Sequence, residues 1–432
     1  MAGMAAAAAA MLVAAVVGWV AWRNVAGQEP VQPRGAGPES TADAALAQRG
    51  AYLARAGNCQ GCHTRRGGAP NAGGRAIATP FGAVYSSNLT PDDDTGLGRW
   101  SASEFWRAMH HGRSRDGRLL VPAFPYPNFT RITREDSDAL FAWLRTLPPV
   151  REPQRAHELR FPYNLQPALA VWRALYFTPG VFVPEPGRSA AYNRGSYLVN
   201  GIAHCMACHA PRNALGATRE GPGEAAAAQG SLVSAQNWYA PSLSSADEAG
   251  VAHWNGDEVV ALLRTGVAPR GWVMGPMAEV VFRSTQHLNE RDLRAIAEYL
   301  RALPQVAARA TVPQRGRMGE QSGRRTEAFA AGAKVYEKHC AACHGGRGEG
   351  ADGYLALAGN RAVTMASPHN VIKAIRDGGF APTTLGNPQP MGMPPFHGVL
   401  GDEEIAAVAS FIRQAWGHGA APVQALDVLR AR

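Results

Sequence analysis

A long apolar segment stands at the N-terminal end of the sequence. Residues 1–22 carry no charged side chain, and Arg23 is the first charged residue. About 20 apolar residues are enough to cross a bilayer as a helix, and Trp19 and Trp22 lie where interfacial aromatic residues are expected. The pattern predicts a transmembrane or signal helix over residues 1–25. A cleavable signal would need a basic start, which this stretch lacks, so a retained anchor is favoured.

Three later segments show the 3.6-residue period of amphipathic helices. The predicted helices cover residues 133–147, 289–303 and 402–416. A Leu-Pro pair ends each of the first two, because the residue before a proline is pushed out of the helical region. Thr133 and Asn289 stand where N-cap residues are expected. The chain is therefore predicted to be mainly α.

Each periodic helix closes a repeat that opens with a similar short segment. The opening segments are Arg49-Gly-Ala-Tyr52, Arg194-Gly-Ser-Tyr197 and Gly332-Ala-Lys-Val-Tyr336. A middle helix is predicted between opening and closing segments, and it ends at Gly112, Gly266 or Gly378. The repeats predict three tandem domains over residues 45–150, 191–306 and 328–420.

Two connecting segments differ in composition from the repeats. Residues 151–190 are rich in proline and aromatic residues and contain the apolar stretch from Leu169 to Phe177. They are interpreted as a packed linker, with a docking surface for a partner or a membrane as the alternative. Residues 307–327 are rich in Arg, Gly and Gln, and they predict a flexible linker.

All six cysteines of the 432-residue chain lie in Cys-x-x-Cys-His runs. This run is the attachment signature of c-type haem, in which two thioethers hold the porphyrin and the His ligates the iron. The runs are Cys59-Gln-Gly-Cys62-His63, Cys205-Met-Ala-Cys208-His209 and Cys340-Ala-Ala-Cys343-His344. They predict three covalently bound haem c groups, and the three tandem domains are therefore predicted to be of cytochrome c type.

Other uses of paired cysteines fit the sequence less well. A structural zinc site needs four ligands, and no further cysteine remains for a second pair. A thioredoxin-like pair would need a surrounding βαβ pattern, which the sequence does not show. Disulfides in an oxidising compartment are the third alternative.

The net charge of +9 changes this picture little. Three haems would add about six propionate carboxylates, which would bring the loaded protein much closer to neutral. No basic run is interleaved with aromatic residues, so a nucleic-acid partner is not expected.

The sixth ligand of each iron is expected on the loop between the middle and closing helices. A methionine thioether there would raise the haem potential, because it favours ferrous iron. The second repeat offers Met277 and the third offers Met393, with Met391 as the second choice. These two loops predict His/Met ligation of the second and third haems.

The first repeat lacks a methionine in this loop. Phe124 stands at the expected position and cannot ligate iron. The first haem is then five-coordinate, binds water, or takes a side chain from Met109, His110 or His111. Alignment of the repeats places Met109 in the core and both histidines on the helix surface. We expect an unusual, lower-potential or high-spin first haem.

These residues together resemble the tri-haem cytochrome subunits of membrane-bound periplasmic dehydrogenases, such as the alcohol dehydrogenases of acetic acid bacteria. The resemblance covers nearly the whole chain after residue 45. The strings that carry it include Thr79-Pro-Phe-Gly82, Asn88-Leu-Thr-Pro91, Gly275-Pro-Met277-Ala-Glu-Val-Val and Met393-Pro-Pro-Phe396.

The resemblance implies a role in the bacterial inner membrane, on its periplasmic side. A catalytic dehydrogenase subunit would pass electrons through the three haems to ubiquinone or another respiratory acceptor. With Phe124 in this loop and the linker string Leu175-Tyr-Phe177-Thr-Pro-Gly180, the chain resembles the subunits that pair with molybdenum-hydroxylase-type aldehyde or N-heterocycle dehydrogenases, with or without a small iron–sulfur subunit. The alternative is the cytochrome subunit of a pyrroloquinoline-quinone (PQQ)-dependent alcohol dehydrogenase.

No dehydrogenase machinery of its own is visible in the chain. The sequence has no Gly-x-Gly-x-x-Gly that opens a βαβ unit and no P-loop, so no catalysis by this chain alone is expected. Two rival functions are a self-sufficient, peroxidase-like enzyme with an open first haem and a free-standing shuttle that takes electrons from a quinol.

Overall fold

The computed structural model describes residues 2–28, 30–31, 44–218, 228–233, 236–306, 318–351 and 353–432. Across these residues the protein is mainly helical with short strands, so the predicted fold class is confirmed at that level. The chain divides into two compact units. The first contains residues 1–186, 197–207 and 212–218, and the second contains residues 187–196, 208–211 and 219–432.

The described part of residues 2–209, most of which belongs to the first compact unit, contains ten helical segments and three strands. The helices are Ala2–Val25, Ala44–Ala56, Cys59–Cys62, Ala102–His111, Tyr126–Phe129, Arg134–Arg145, Gln166–Tyr176, Ala190–Tyr197, the π-helical turn Leu198–Ile202 and, at the end, Met206–His209. The strands Ala76–Thr79, Gly82–Tyr85 and Glu158–Leu159 form one antiparallel sheet in that order. The sheet joins the start of the predicted linker 151–190 to the first repeat.

The rest of the second compact unit repeats the same kinds of element. Its helices are Gly256–Thr265, Pro276–Arg283, the 3₁₀ turn Thr285–His287, Glu290–Arg301, Met318–His339, Ala341–His344, Arg361–Thr364, His369–Asp377, Asp402–Gln414 and Ala425–Arg430. Its strands form two-stranded antiparallel pairs: Ser231–Val233 with Trp238–Ala240, Val267–Ala268 with Gly271–Trp272, and Gly379–Phe380 with Gly392–Met393.

The apolar N-terminal segment forms the predicted helix. It runs over Ala2–Val25 and has a mean hydropathy of 2.2 over its most apolar 18 residues, none of which is buried. Its length and composition suffice to cross a membrane.

The three closing helices lie where the periodicity predicts them. They cover Arg134–Arg145, Glu290–Arg301 and Asp402–Gln414, and each ends two residues before the predicted end. Thr133 and Asn289 cap the first two, since their side-chain oxygens accept the backbone N–H of the third helical residue. Trp416, the predicted last residue of the third helix, instead has a left-handed backbone with φ of 56°.

One helix crossing occurs three times. A glycine of the opening helix lies against the backbone of an alanine in the closing helix. A methyl group added to Gly50, Gly195 or Gly332 would stand 1.9, 2.0 or 2.2 Å from the carbonyl oxygen of Ala139, Ala295 or Ala407. Only glycine allows the two backbones to approach this closely.

A charged pair supports the crossing in the first two repeats. Arg49 lies 2.5 Å from Asp136, and the equivalent Arg194 lies 2.8 Å from Asp292. Both carboxylates are almost fully buried. Ala331 precedes the glycine of the third repeat, so this arginine is missing there.

The two segments predicted to be linkers differ in how much of their structure is described. Residues 151–190 contain the helix Gln166–Tyr176, called the linker helix below, which includes most of the predicted apolar stretch. In the predicted linker 307–327, residues 307–317 lie outside the described part of the chain. The opening helix of the third repeat begins at Met318, inside that predicted linker.

Candidate functional site

Each Cys-x-x-Cys-His run follows an opening helix and forms one short helical turn. The turns are Cys59–Cys62, Met206–His209 and Ala341–His344. Asn58 and His204, the residues before the first two runs, have left-handed backbones with φ of 49° and 40°, which turn the chain between the two helices. The first cysteine of each run is half-buried, and Cys62 and Cys208 are exposed.

The three predicted axial histidines share one hydrogen-bond pattern. Nδ1 of His63 lies 2.7 Å from the carbonyl of Ser87, Nδ1 of His209 lies 2.7 Å from that of Pro241, and Nδ1 of His344 lies 2.8 Å from that of Leu355. A carbonyl oxygen only accepts, so Nδ1 carries the proton and Nε2 keeps its lone pair. A contact of this kind commonly orients an imidazole that binds a metal through its other nitrogen.

Burial shifts the pKa of two of these histidines and of two of the cysteines. It lowers the pKa of His63 and of His209, against the opposing effect of their carbonyl contacts. Burial also raises the pKa of Cys59 to about 12 and that of Cys340 to about 11, with their partner cysteines adding to the shift. Among the described residues there is no group of three or more His, Cys, Asp or Glu side chains that could hold a metal ion.

The two predicted methionine ligands lie on short structured loops. Met277 stands in the first turn of Pro276–Arg283 and packs with Val273 and Val281. Met393 lies in a strand next to Gly378, the C-cap of the middle helix, and packs against the core of the third repeat. Met391, the second choice, is 47% exposed, so burial favours Met393.

The first repeat has an aromatic group at this position. The ring of Phe124 lies 5.3 Å from that of Phe129. Met109 is buried, as the alignment predicts, whereas the prediction that His110 and His111 lie on the helix surface is wrong. Thr130, which follows the short helix Tyr126–Phe129, contacts His110 and covers the C-terminal end of the middle helix Ala102–His111.

His110 and His111 differ in their surroundings. The ring of His110 stacks on Trp106 at 4.3 Å, and its Nδ1 lies 3.3 Å from the hydroxyl of Thr130. Burial, followed by the positive charges of His110, Arg173, Arg113 and Arg107, lowers the pKa of His111 to about 4. His111 is therefore neutral at physiological pH.

Trp254 is a buried polar side chain that the sequence reasoning did not single out. Its ring is 3% exposed, and its Nε1–H has no hydrogen-bond partner in the described part of the chain. The guanidinium of Arg361 lies 5.0 Å from the ring centroid. A buried indole donor of this kind fits a carboxylate of a haem. Trp254 aligns with Trp100 of the first repeat, and this repeated tryptophan is the sequence feature that could have indicated its importance.

Comparisons with known proteins identify the family to which the chain is related. The Cytochrome c family matches residues 47–148 and 329–416. The chain is 38% identical over 404 residues to the cytochrome c subunit of a quinone-dependent alcohol dehydrogenase from Gluconacetobacter polyoxogenes, covering 90% of this chain and 85% of that protein. It is 36% identical over 402 residues to the gluconate 2-dehydrogenase cytochrome c subunit of Pantoea cypripedii, covering 91% of each.

A third relative is a much longer protein. The chain is 40% identical over 391 residues to a nicotinate dehydrogenase subunit from Pseudomonas putida, and the match covers 89% of this chain but 31% of that protein. The folded motifs and these matches define an electron-transfer protein of the cytochrome c class, which binds haem c covalently. The chain belongs to the family of cytochrome c subunits found in alcohol, gluconate and fructose dehydrogenases.

Proposed function

We propose that this chain is the electron-transfer subunit of a membrane-bound dehydrogenase and carries three haem c groups in three tandem domains. The domains would cover residues 45–150, 191–306 and 328–420. The observation that carries the proposal is the threefold Nδ1–carbonyl contact of the histidine after each Cys-x-x-Cys pair. The threefold glycine crossing supports the same division of the chain.

Each domain would hold its haem in the same way. The two cysteines would tether the porphyrin, and His63, His209 or His344 would ligate the iron through Nε2. Met277 and Met393 would complete the second and third sites. The bound haems would supply one-electron redox chemistry, and the chain would fix the axial ligands and exclude water from them.

The first haem would differ from the other two. Phe124 offers no ligand, and the imidazole of His110 is already engaged by Trp106 and Thr130. The first iron would therefore be high-spin or weakly ligated, with a lower potential than His/Met ligation gives. Electron paramagnetic resonance of the loaded chain tests this, and a low-spin His/Met signal from all three haems would contradict it.

The partner would be a catalytic dehydrogenase subunit on the periplasmic side of the inner membrane. Phe124 and the relationship to a nicotinate dehydrogenase subunit favour an aldehyde or N-heterocycle dehydrogenase of the molybdenum type. Ubiquinone would be the electron acceptor. The alcohol dehydrogenase relatives instead support a PQQ-dependent partner as the second candidate.

Purification from native membranes tests the proposal. We expect three haems per chain and a co-purifying large subunit. Molybdenum together with a small iron–sulfur subunit supports the first candidate, and pyrroloquinoline quinone supports the second. A chain that purifies alone and turns over peroxide would overturn the proposed function.

A further inference from the structure

The end of the apolar helix is built into the folded protein. Asn24 is 6% exposed. Its side-chain amide donates to the carbonyl of Ala170 at 2.9 Å, and its side-chain oxygen accepts from Nε of Arg173 at 3.0 Å. Its backbone carbonyl accepts from Nη2 of Arg113 at 3.1 Å. One asparagine thus ties the helix to the linker helix and to the first repeat.

Arg23 continues this junction. Its Nε donates to the carbonyl of Ala174 at 3.3 Å, and its Nη2 donates to the carbonyl of Phe177 at 3.2 Å. These carbonyls belong to the last turn and C-cap of the linker helix, where backbone acceptors lack helical partners. A cation at a helix C-terminus also interacts favourably with the helix dipole. Arg23 therefore stabilises the end of the linker helix.

Loss of residues 1–25 would leave this junction incomplete. Arg173 is 4% exposed, and its described contacts are Asn24 and the rings of Tyr126 and Phe177. Without Asn24 the buried guanidinium would lose the acceptor of its Nε–H, which is destabilising. A segment that is cut off during export is not expected to satisfy buried groups of the mature fold.

The segment beside this junction has almost no charged residues. Residues 161–184 contain one charged residue, Arg173, and that residue is buried. On the linker helix, Leu169 and Arg173 face inward, while Val171 and Leu175 are 46% and 53% exposed on the opposite side. The exposed apolar residues of this segment, called the linker face, are Phe161, Leu165, Val171, Leu175, Val181 and Val183.

We propose that the apolar helix is retained in the mature protein and that the linker face lies on the membrane surface beside it. Three features point to lipid as the occupant: the face adjoins the end of a helix long enough to span a bilayer, it exposes no charged side chain, and Trp19 and Trp22 mark the interface on the helix. The proposal deepens the membrane attachment in the proposed function.

The consequence concerns the first repeat. Asn24 donates a hydrogen bond to the linker helix and accepts one from Arg113, which lies just after the middle helix of the first repeat. The membrane surface and the first haem domain are therefore held in a fixed relation by one buried cluster. A catalytic subunit could also cover an apolar face, and the experiment separates that case.

The first measurement is the intact mass of the haem-loaded protein from native membranes. We expect the mass and N-terminal peptides of a chain that retains residues 2–25. A mature chain that begins between residues 22 and 30 would overturn the proposal. This result does not depend on which dehydrogenase is the partner.

The second measurement tests the face itself. The full, haem-loaded chain is placed in vesicles of phosphatidylethanolamine and phosphatidylglycerol with a photoactivatable group in the lipid acyl chain. We expect several-fold more labelling at Val171 and Leu175 than at Leu385, which is 98% exposed in the third repeat. Equal labelling at all three positions would overturn the proposal, as would loss of the Val171 label in the assembled dehydrogenase.

A double variant completes the test. Val171→Glu with Leu175→Glu places two charges on the face, and we expect labelling of the neighbouring Tyr176 to fall at least fivefold while haem absorbance is unchanged. Leu385→Glu is the matched control and leaves the label in place. A double variant with normal haem absorbance and undiminished Tyr176 labelling would place this surface away from lipid.

Discussion

Arg194 holds the carboxylate of Asp292 with two hydrogen bonds, from Nε at 2.9 Å and from Nη2 at 2.8 Å. The pair joins an opening helix to the first turn of its closing helix. Asp292 is 4% exposed, so the positive charge of Arg194 stabilises a carboxylate that is largely shielded from water. Such bidentate pairs fix geometry as well as energy.

Replacement of Asp292 by Ala is expected to destabilise the second repeat. It leaves the half-buried Arg194 without its carboxylate, at a cost of about 2 kcal/mol. Denaturant unfolding of the haem-loaded chain measures the loss. Glu290→Ala, at an exposed position on the same helix turn, serves as the control and should change stability by less than about 0.5 kcal/mol. Equal effects of the two variants would argue against a special role for the pair.

The glycine crossing makes a second prediction. Gly50→Ala places a methyl group 1.9 Å from the carbonyl of Ala139, so the two helices must separate. We expect a loss of about 1–3 kcal/mol and weaker retention of the first haem. Gly398→Ala, where nothing lies within 4 Å, is the control. Normal stability of the Gly50 variant would show that the helices separate without penalty.

The methionine assignments predict a change in redox potential. Met277→Leu and Met393→Leu each replace one thioether by a side chain of similar volume, so packing should be kept while one haem loses its soft ligand and its potential falls. Redox titration of the loaded chain checks this result. Met391→Leu is the control for Met393, since it lies two residues away and is exposed. A lower potential in the Met391 variant alone would reverse the assignment.

The lowered pKa of His111 predicts that the stability of the folded protein depends on pH. Its pKa is about 4 in the folded protein, against about 6.5 when unfolded. Between these values the unfolded chain binds the extra proton, so stability falls as the pH falls from about 6.5 to 4, by up to about 1.4 kcal/mol per pH unit. His111→Gln should make this slope shallower, because the other histidines with lowered pKa values keep their contributions, whereas His253→Gln, at an exposed position, should not. An unchanged slope in the His111 variant would assign it to other groups.

Sequence reasoning located the three closing helices to within two residues. Thr133 and Asn289 cap their helices as their spacing predicts. These features depend on neighbours within a few residues, which the sequence shows directly. The surface position predicted for His110 and His111 is wrong because residues from later in the chain lie near them: Thr130 contacts His110, and the charge of Arg173 lowers the pKa of His111. Helical periodicity holds no information about such partners.

The sequence by itself determined the local chemistry of this protein: the Cys-x-x-Cys-His runs, the apolar span and the amphipathic helices. Each of these is set by residues within one or two helical turns. Only the tertiary structure decided that Asn24 is buried against Arg173, that Gly50 meets Ala139, and that Trp254 is a buried donor without a partner among the described residues. The contacts of Asn24 and Gly50 join residues far apart in the chain, and they form because buried polar groups need partners and packed backbones need room. The burial of Trp254 likewise depends on residues far away in the chain.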